Sequence, residues 1–417
     1  MFRSQFRVVA LSALLFIGAC GGGNSPSDSP ANVAVTAGDG RAIVRWTQQS
    51  DLTYWIFRAR ASGITRDDYN KFPEARIDSP VDSPRAVTGL TNAETYSFVM
   101  NATKKAGPAG PASASQSAKP RLAGDTWTVQ TVLAGAANAN DAIFANQKFY
   151  AVGNTATIFE GVEILGAAND TDNKITWTKR DVNGITDDLR GIVFNSGAIK
   201  FVAVGAAGRI LASADGISWT ASGVSSPATP NLNAIAFGNS VYVAVGEGGK
   251  IYSSSDALTW NERESNIATN INDVNFVSGR FVAVGVSGFI ATSTDAITWT
   301  TRDSPSSQNL NAVAFGSSKY VIVGDAGTIL LSDDGEKWNA QTNLPPAVTQ
   351  NLYDINFGSR FIAVGAGGVV TTSTTDANGV LQRQSTATGT SDLFATTFGL
   401  GANVAAGSAG ANSYSWQ

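Results

Sequence analysis

FVAVGAAGRILASADGISWT, residues 201–220, returns almost unchanged as YVAVGEGGKIYSSSDALTW at 242–260 and FVAVGVSGFIATSTDAITW at 281–299. Each copy ends in Ser-x-Asp-x-x-x-Trp: Ser213, Asp215, Trp219; Ser254, Asp256, Trp260; Ser293, Asp295, Trp299. A fourth copy is Ser332, Asp334, Trp338. The question is whether the Asp reacts or builds. A reactive site is normally unique, and four equivalent Asp residues spread along a repeat cannot meet at one substrate. An Asp between two strands can accept backbone N–H bonds and pin the turn. The Trp after it carries a large ring that can be buried between neighbouring units. The motif therefore reads as structural.

The repeat extends beyond these copies. Aligned on Val-Gly or its equivalent, the glycines fall at Gly153, Gly205, Gly246, Gly285, Gly324, Gly365 and Gly407, at intervals of 52, 41, 39, 39, 41 and 42. A period near 40 signals a repeat array or propeller. Each unit offers a first strand like LNAIAF (232–237), a second like FVAVG, a third like GRILAS and a fourth carrying the Trp. The expected fold class is all-β: a seven-bladed β-propeller over 120–417, preceded by a β-sandwich. The last unit stops at its third strand, while DTWTVQTV (125–132) is a Trp strand with no unit of its own. Those residues are expected to complete the last blade and close the ring, which removes an open edge. An open solenoid is the alternative. Gly-x-x-Gly between the second and third strands reads as a hairpin turn in which Gly supplies φ > 0. It opens no helix, so it is not read as a phosphate cradle.

Ser-x-Asp-x-x-x-Trp resembles the Asp-box, or BNR repeat, of sialidase-type propellers. The pattern GxxGxIxxSxDGxxW, seen at Gly205–Trp219 and Gly324–Trp338, resembles the photosystem II stability/assembly factor family. That resemblance implies a periplasmic or lumenal assembly chaperone that binds membrane-protein partners.

The N-terminus has Arg3 and Arg7, an apolar run from Val8 to Ile17, and then Gly18-Ala19-Cys20. This is a charged region and a short apolar region, the form of an export signal. Its end resembles the lipobox of bacterial lipoproteins. The resemblance implies removal of residues 1–19, lipidation of Cys20 and, with Gly21 following, residence at the outer membrane, facing periplasm or cell surface. Residues 20–30, Gly- and Ser-rich, read as a flexible tether. Residues 31–119 contain short alternating strands with a turn at Gly38-Asp39-Gly40, the spacing of a β-sandwich. Trp46, Leu90 and Tyr96, with Gly107-Pro108 behind them, resemble a fibronectin type III domain. That resemblance implies a tyrosine corner at Leu90 and Tyr96 and a spacer or binding role.

Composition excludes several chemistries. There is no His, which removes the commonest general base and metal ligand. Cys20 is the only Cys, so no intrachain disulfide or Cys-rich zinc site can form. The formal net charge of −4 becomes about −6 without Arg3 and Arg7, which argues against nucleic acid as a partner. The acidic turn at 169–173 lacks the Gly and distal Glu of an EF-hand. No cofactor or metal is expected, and a monomer is.

The expected function is a non-enzymatic envelope scaffold whose propeller binds a protein. The candidate binding residues ring one end of the channel: Arg190, Asn233, Asn272, Asn311 and Tyr353 near the starts of first strands, Glu247 and Asp325 in the second-to-third turns. The alternatives are a carbohydrate-binding surface protein and a sialidase-type glycosidase. The glycosidase would need three Arg at matching blade positions, but Arg190 aligns with Asn in the three following blades.

Overall fold

The computed structural model describes residues 26 and 28–415, except 105–106, 122, 124–126, 130–132, 134–136, 166–173, 181, 183, 198–199, 224–229, 264–267, 342–347, 376–380 and 388. The export signal, Cys20, most of the tether and the 169–173 turn lie outside the described residues. Among the described residues, no helix is long and apolar enough to cross a membrane.

The first domain has strands β1 (Ala34–Gly38), β2 (Arg41–Arg45), β3 (Thr53–Arg60), β4 (Arg76–Val81), β5 (Arg85–Thr88), β6 (Tyr96–Thr103) and β7 (Gln116–Ala118). They form two antiparallel sheets, β1-β2-β5 and β4-β3-β6-β7. Side chains point alternately to the two faces of each sheet, and β2 and β6 are buried along their whole length. Trp46, Tyr54, Leu90, Tyr96 and Phe98 share that core. The Tyr96 hydroxyl accepts the Thr91 N–H at 3.0 Å and donates to Glu74 Oε2 at 2.5 Å. This gives the buried phenol both partners it needs.

The rest of the described chain forms seven four-stranded antiparallel sheets. Their innermost strands are Ala139–Ala145, Leu189–Asn195, Leu232–Gly238, Ile271–Val277, Leu310–Gly316, Leu352–Phe357 and Leu393–Gly399, in blades one to seven. Each packs beside the next, and the last packs beside the first, so the ring closes around a central channel. In blade seven the fourth strand is β8 (Thr128–Val129), which comes from ahead of blade one. It pairs with Asn412–Ser415 through Ser413↔Val129 and Tyr414↔Thr128. Trp127 packs on Ile362, Val364, Val370, Leu393 and Ala405. The two ends of the propeller chain thus meet in one sheet, and no strand edge is left over at the join.

A ring of side-chain hydrogen bonds fastens each blade to the next. An Asn or Asp just before each innermost strand accepts an N–H from the preceding blade's second-to-third turn. The donors are the N–H groups of Thr155, Ala207, Gly248, Ser287, Ala326, Gly367 and Ala409. The acceptors are, in the same order, Asp188, Asn231, Asn270, Asn309, Asn351, Asp392 and Asn138. The donor residue is turned outward by a left-handed backbone, as at Ala207 with φ 52°. The first glycine of Gly-x-x-Gly, however, is not left-handed. Gly246 has φ −168°, an extended value. It is needed for clearance, because a Cβ there would lie 2.0 Å from the Asn231 carbonyl oxygen. The φ > 0 expected of this turn is supplied by the second glycine, such as Gly208 at 66°.

The Ser-x-Asp turns close identically in blades two to five. In blade three, Asp256 Oδ1 accepts the N–H groups of Leu258 and Thr259, each at 2.8 Å, and the Ser254 hydroxyl at 2.9 Å. Ser254 Oγ accepts the Ala257 N–H at 2.8 Å. These backbone donors, Thr259 first, hold the Asp256 carboxyl down at about 2. Asp215, Asp295 and Asp334 are held at about 2 by the same arrangement. Trp260 is buried with Tyr242 and with Val202, Val204 and Ile210 of the preceding blade. Trp338 is likewise buried against the blade before it, and Trp219 and Trp299 pack partly buried between blades. Trp260→Ala is expected to remove about 3–5 kcal/mol of stability, read from denaturant unfolding. Asp256→Ala should cost less, since water can reach the freed N–H groups.

The sandwich is held against the propeller. Arg41 of β2 donates to Glu163 of blade one at 2.7 Å, with side chains only 2% and 9% exposed. In the linker, the Ala123 N–H reaches Asp39 Oδ2 at 3.0 Å, and its carbonyl accepts Arg360 Nε at 2.8 Å. A buried ion pair of this kind contributes fixed geometry more than stability.

Candidate functional site

The channel mouth is shaped by one irregularity repeated in every blade. Each innermost strand pairs with the second strand through a register shift at its start, as where Leu232 faces Gly246 and Ala234 faces Val245. The residue between them is a bulge. It occurs at Asn140, Arg190, Asn233, Asn272, Asn311, Tyr353 and Phe394. A bulge re-aims its side chain out of the strand alternation. Here it produces a ring of seven half-buried side chains at the mouth, beside the second-to-third turns.

The sequence-derived candidates therefore come together, in three groups. On blades two and three, Arg190 donates to Asn233 Oδ1 at 2.8 Å and lies 3.6 Å from Glu247, which also accepts from Asn231 at 2.8 Å. On blades four and five, Asn272 lies 3.4 Å from Asn311 Oδ1, and Asn311 donates to Asp325 Oδ1 at 2.9 Å. Asn309 holds the other Asp325 oxygen, also at 2.9 Å. On blades six and seven, the rings of Tyr353 and Phe394 sit 5.6 Å apart at 52°. Burial, then the charges of Asp392 and Asp325, push the Tyr353 phenol up, so it stays protonated.

The three asparagines also have a building role. Asn233, Asn272 and Asn311 each donate to a backbone carbonyl of the next blade, those of Ile271, Leu310 and Leu352. Asn140 does the same to Leu189. An amide committed this way is oriented for a ligand but offers it fewer donors.

Sequence reading passed over Asn140 and Phe394, the same bulge in blades one and seven. It also passed over three aspartates deeper in the channel. Asp141, Asp273 and Asp354 follow the bulge in blades one, four and six and line a cavity of about 360 Å³ with Asn275, Asn356 and Thr396. Each carboxylate accepts an N–H from the next blade's innermost strand: Ile192 at 2.7 Å, Val313 at 2.9 Å and Thr396 at 2.6 Å. Enclosure by protein raises all three, more than the accessible edge facing the channel relieves them. Asp273 is pushed up to about 7 and Asp354 to about 6, chiefly by desolvation. Asp141 is pushed well above the usual carboxylate range by desolvation and by Asp354. The clue was in the sequence: INDVNF and LYDINF carry Asp where LNAIAF carries Ala. Among the described residues, no three acidic side chains come close enough together to hold a metal ion.

The comparisons bear on the frame. The β-propeller domain of the DUF6242 family matches residues 171–273. No curated protein matches the chain. Among solved structures, "YCF48 bound to D1 peptide" aligns at TM-score 0.55 and 18% identity, over 71% of this chain and 99% of that one. The WD40 β-propeller domain of Doa1 aligns at TM-score 0.57 and 12% identity, over 70% and 97%. YCF48 from Cyanidioschyzon merolae aligns at 0.52 and 16%, over 69% and 98%. At these identities the likeness establishes the propeller fold, and function has to be argued from the mouth.

Proposed function

We propose that this chain is a non-enzymatic scaffold or assembly factor of the cell envelope, lipid-anchored through Cys20, whose propeller mouth binds a protein partner. The observation that carries the reading is a contrast between frame and mouth. The blade-to-blade fastening repeats seven times almost without variation. The bulge residues vary: Asn in blades one, three, four and five, but Arg190, Tyr353 and Phe394 in blades two, six and seven. An ion pair, an amide and carboxylate group, and an aromatic pair occupy successive arcs of one ring. A ring needed only for stability gains nothing from that variety, whereas recognition of one partner does. The similar fold of a YCF48 structure with a bound peptide supports a protein or peptide as the ligand class. The aromatic pair beside amides also fits a sugar ring, which makes carbohydrate binding the second reading.

The test is capture from detergent-solubilised envelope by the immobilised full chain. A control carries Arg190→Asn, Glu247→Ala and Tyr353→Asn, residue types already present at these positions in other blades. A discrete protein retained by the wild type and reduced at least tenfold by the control is expected. Equal retention by both would overturn the mouth as the site. Retention of glycan alone would replace the protein reading with the carbohydrate one.

A further inference from the structure

The mouth is electrostatically lopsided. On blades two and three the carboxylate of Glu247 is answered by Arg190. On blades five to seven the Asn311 amide bridges Asp325 to the Leu352 carbonyl next to Tyr353, Asp392 lies two residues before Phe394, and the Tyr353 and Phe394 rings pack together. The mouth segments of those blades, 303–312, 324–328, 348–354, 365–369, 389–395 and 407–411, contain no Lys or Arg. Asp325 is oriented by two amides, Asn309 and Asn311, which position its charge without cancelling it. Asp392 is fixed by the Gly367 N–H at 2.8 Å. All four side chains are half-buried, so each keeps an accessible face.

Resting on the protein-binding reading above, we propose that Asp325, Tyr353, Phe394 and Asp392 form a seat for a Lys or Arg side chain presented by the partner. Two features of the cation fit. Its charge meets carboxylates that have no basic neighbour in this arc. Its alkyl stem or guanidinium plane meets aromatic rings, whose faces attract cations most when partly desolvated. A neutral sugar would use the rings but leave the two charges unanswered. An acidic segment would be repelled by them.

The repeat itself supplies variants compatible with folding. Asp392→Asn restores the residue found at the same place in blades three to six: Asn231, Asn270, Asn309 and Asn351. Asp325→Ser copies Ser408, and Tyr353→Asn copies Asn233 and Asn272. The probe is a set of fluorescein-labelled Gly/Ser dodecapeptides bearing one central Arg, Lys, citrulline or Glu. Binding to the full chain is read by fluorescence anisotropy at low salt. Arg and Lys peptides are expected to bind at least tenfold more tightly than citrulline and Glu peptides. The Asp325→Ser, Asp392→Asn double variant should abolish that discrimination while its thermal unfolding matches wild type, and Tyr353→Asn should weaken it. Equal binding of Arg and citrulline peptides, no binding of any, or discrimination untouched by the variants would overturn the seat. An envelope protein captured through the mouth but indifferent to the double variant would sink the seat alone and leave the scaffold standing. Loss of both results would remove the scaffold as well.

Discussion

Asp273→Asn raises the unfolding midpoint at pH 8 and leaves it nearly unchanged at pH 4. The native carboxyl titrates at about 7, chiefly because of desolvation, against an unfolded value near 3.8. Between those values the unfolded chain has ionised while the native chain still holds its proton. Native stability therefore falls as pH rises through that window. The difference of roughly three pH units corresponds to about 4 kcal/mol at high pH. Asparagine keeps an acceptor oxygen for the Val313 N–H, which Asp273 now binds at 2.9 Å, and removes the charge. Asp354→Asn is expected to act in the same sense by roughly 3 kcal/mol, since its carboxyl sits at about 6. The charged residues on the seven innermost strands are Asp141, Asp273, Asp354 and Arg190, and Arg190 is engaged with Asn233 and Glu247 at the mouth. No base on those strands offsets the trio in the channel. The Asp-box carboxyls work in the opposite direction. Held at about 2, they stabilise the fold above their unfolded value near 3.8, and that contribution is lost as pH falls toward 2. A stability maximum near pH 4 to 5 follows. Urea unfolding of wild type and Asp273→Asn at pH 4, 6 and 8 checks the channel sign, and wild type at pH 2 against pH 4 checks the Asp-box sign; parallel curves for wild type and Asp273→Asn at pH 4, 6 and 8 would refute the burial argument.

Gly246→Ala and Gly248→Ala, two residues apart in one turn, are expected to differ sharply. The added methyl at Gly246 would sit 2.0 Å from the Asn231 carbonyl oxygen. That oxygen accepts the Glu247 N–H at 3.0 Å, so relieving the clash also opens a hydrogen bond beside the mouth. A backbone obstacle cannot rotate aside as a side chain can, and a loss of about 3 kcal/mol or more is expected. At Gly248 a Cβ meets nothing within 4 Å. Its φ of 64° would strain an L-residue by about 1 kcal/mol, but Ala207, Ala326 and Ala409 already occupy that place at 50–53° in other blades. Gly248→Ala should therefore fold almost as wild type. Denaturant melts of the pair decide the matter: no loss at Gly246, or a loss at Gly248 as large as that at Gly246, would refute clearance as what separates the two positions.

The repeat, its period and its four strands were legible because each rests on neighbours close in sequence. Apolar alternation sets strands, and a Ser-x-Asp turn closes on its own backbone within three residues. The bordering DTWTVQTV strand could be read too, since an unpaired edge needs a partner. Tyr353, Asp325 and Arg190 were placed at the mouth from the same period. The register shift that aims them was not legible, because an inserted residue in a pairing leaves no letter of its own.

Sequence alone determined the all-β class and the period, both set by local pattern. The tertiary structure decided what the asparagines and channel aspartates do. Their partners lie 38 to 51 residues away in the neighbouring blade. An Asn that fastens blades and an Asn that faces a ligand are the same letter until the ring closes.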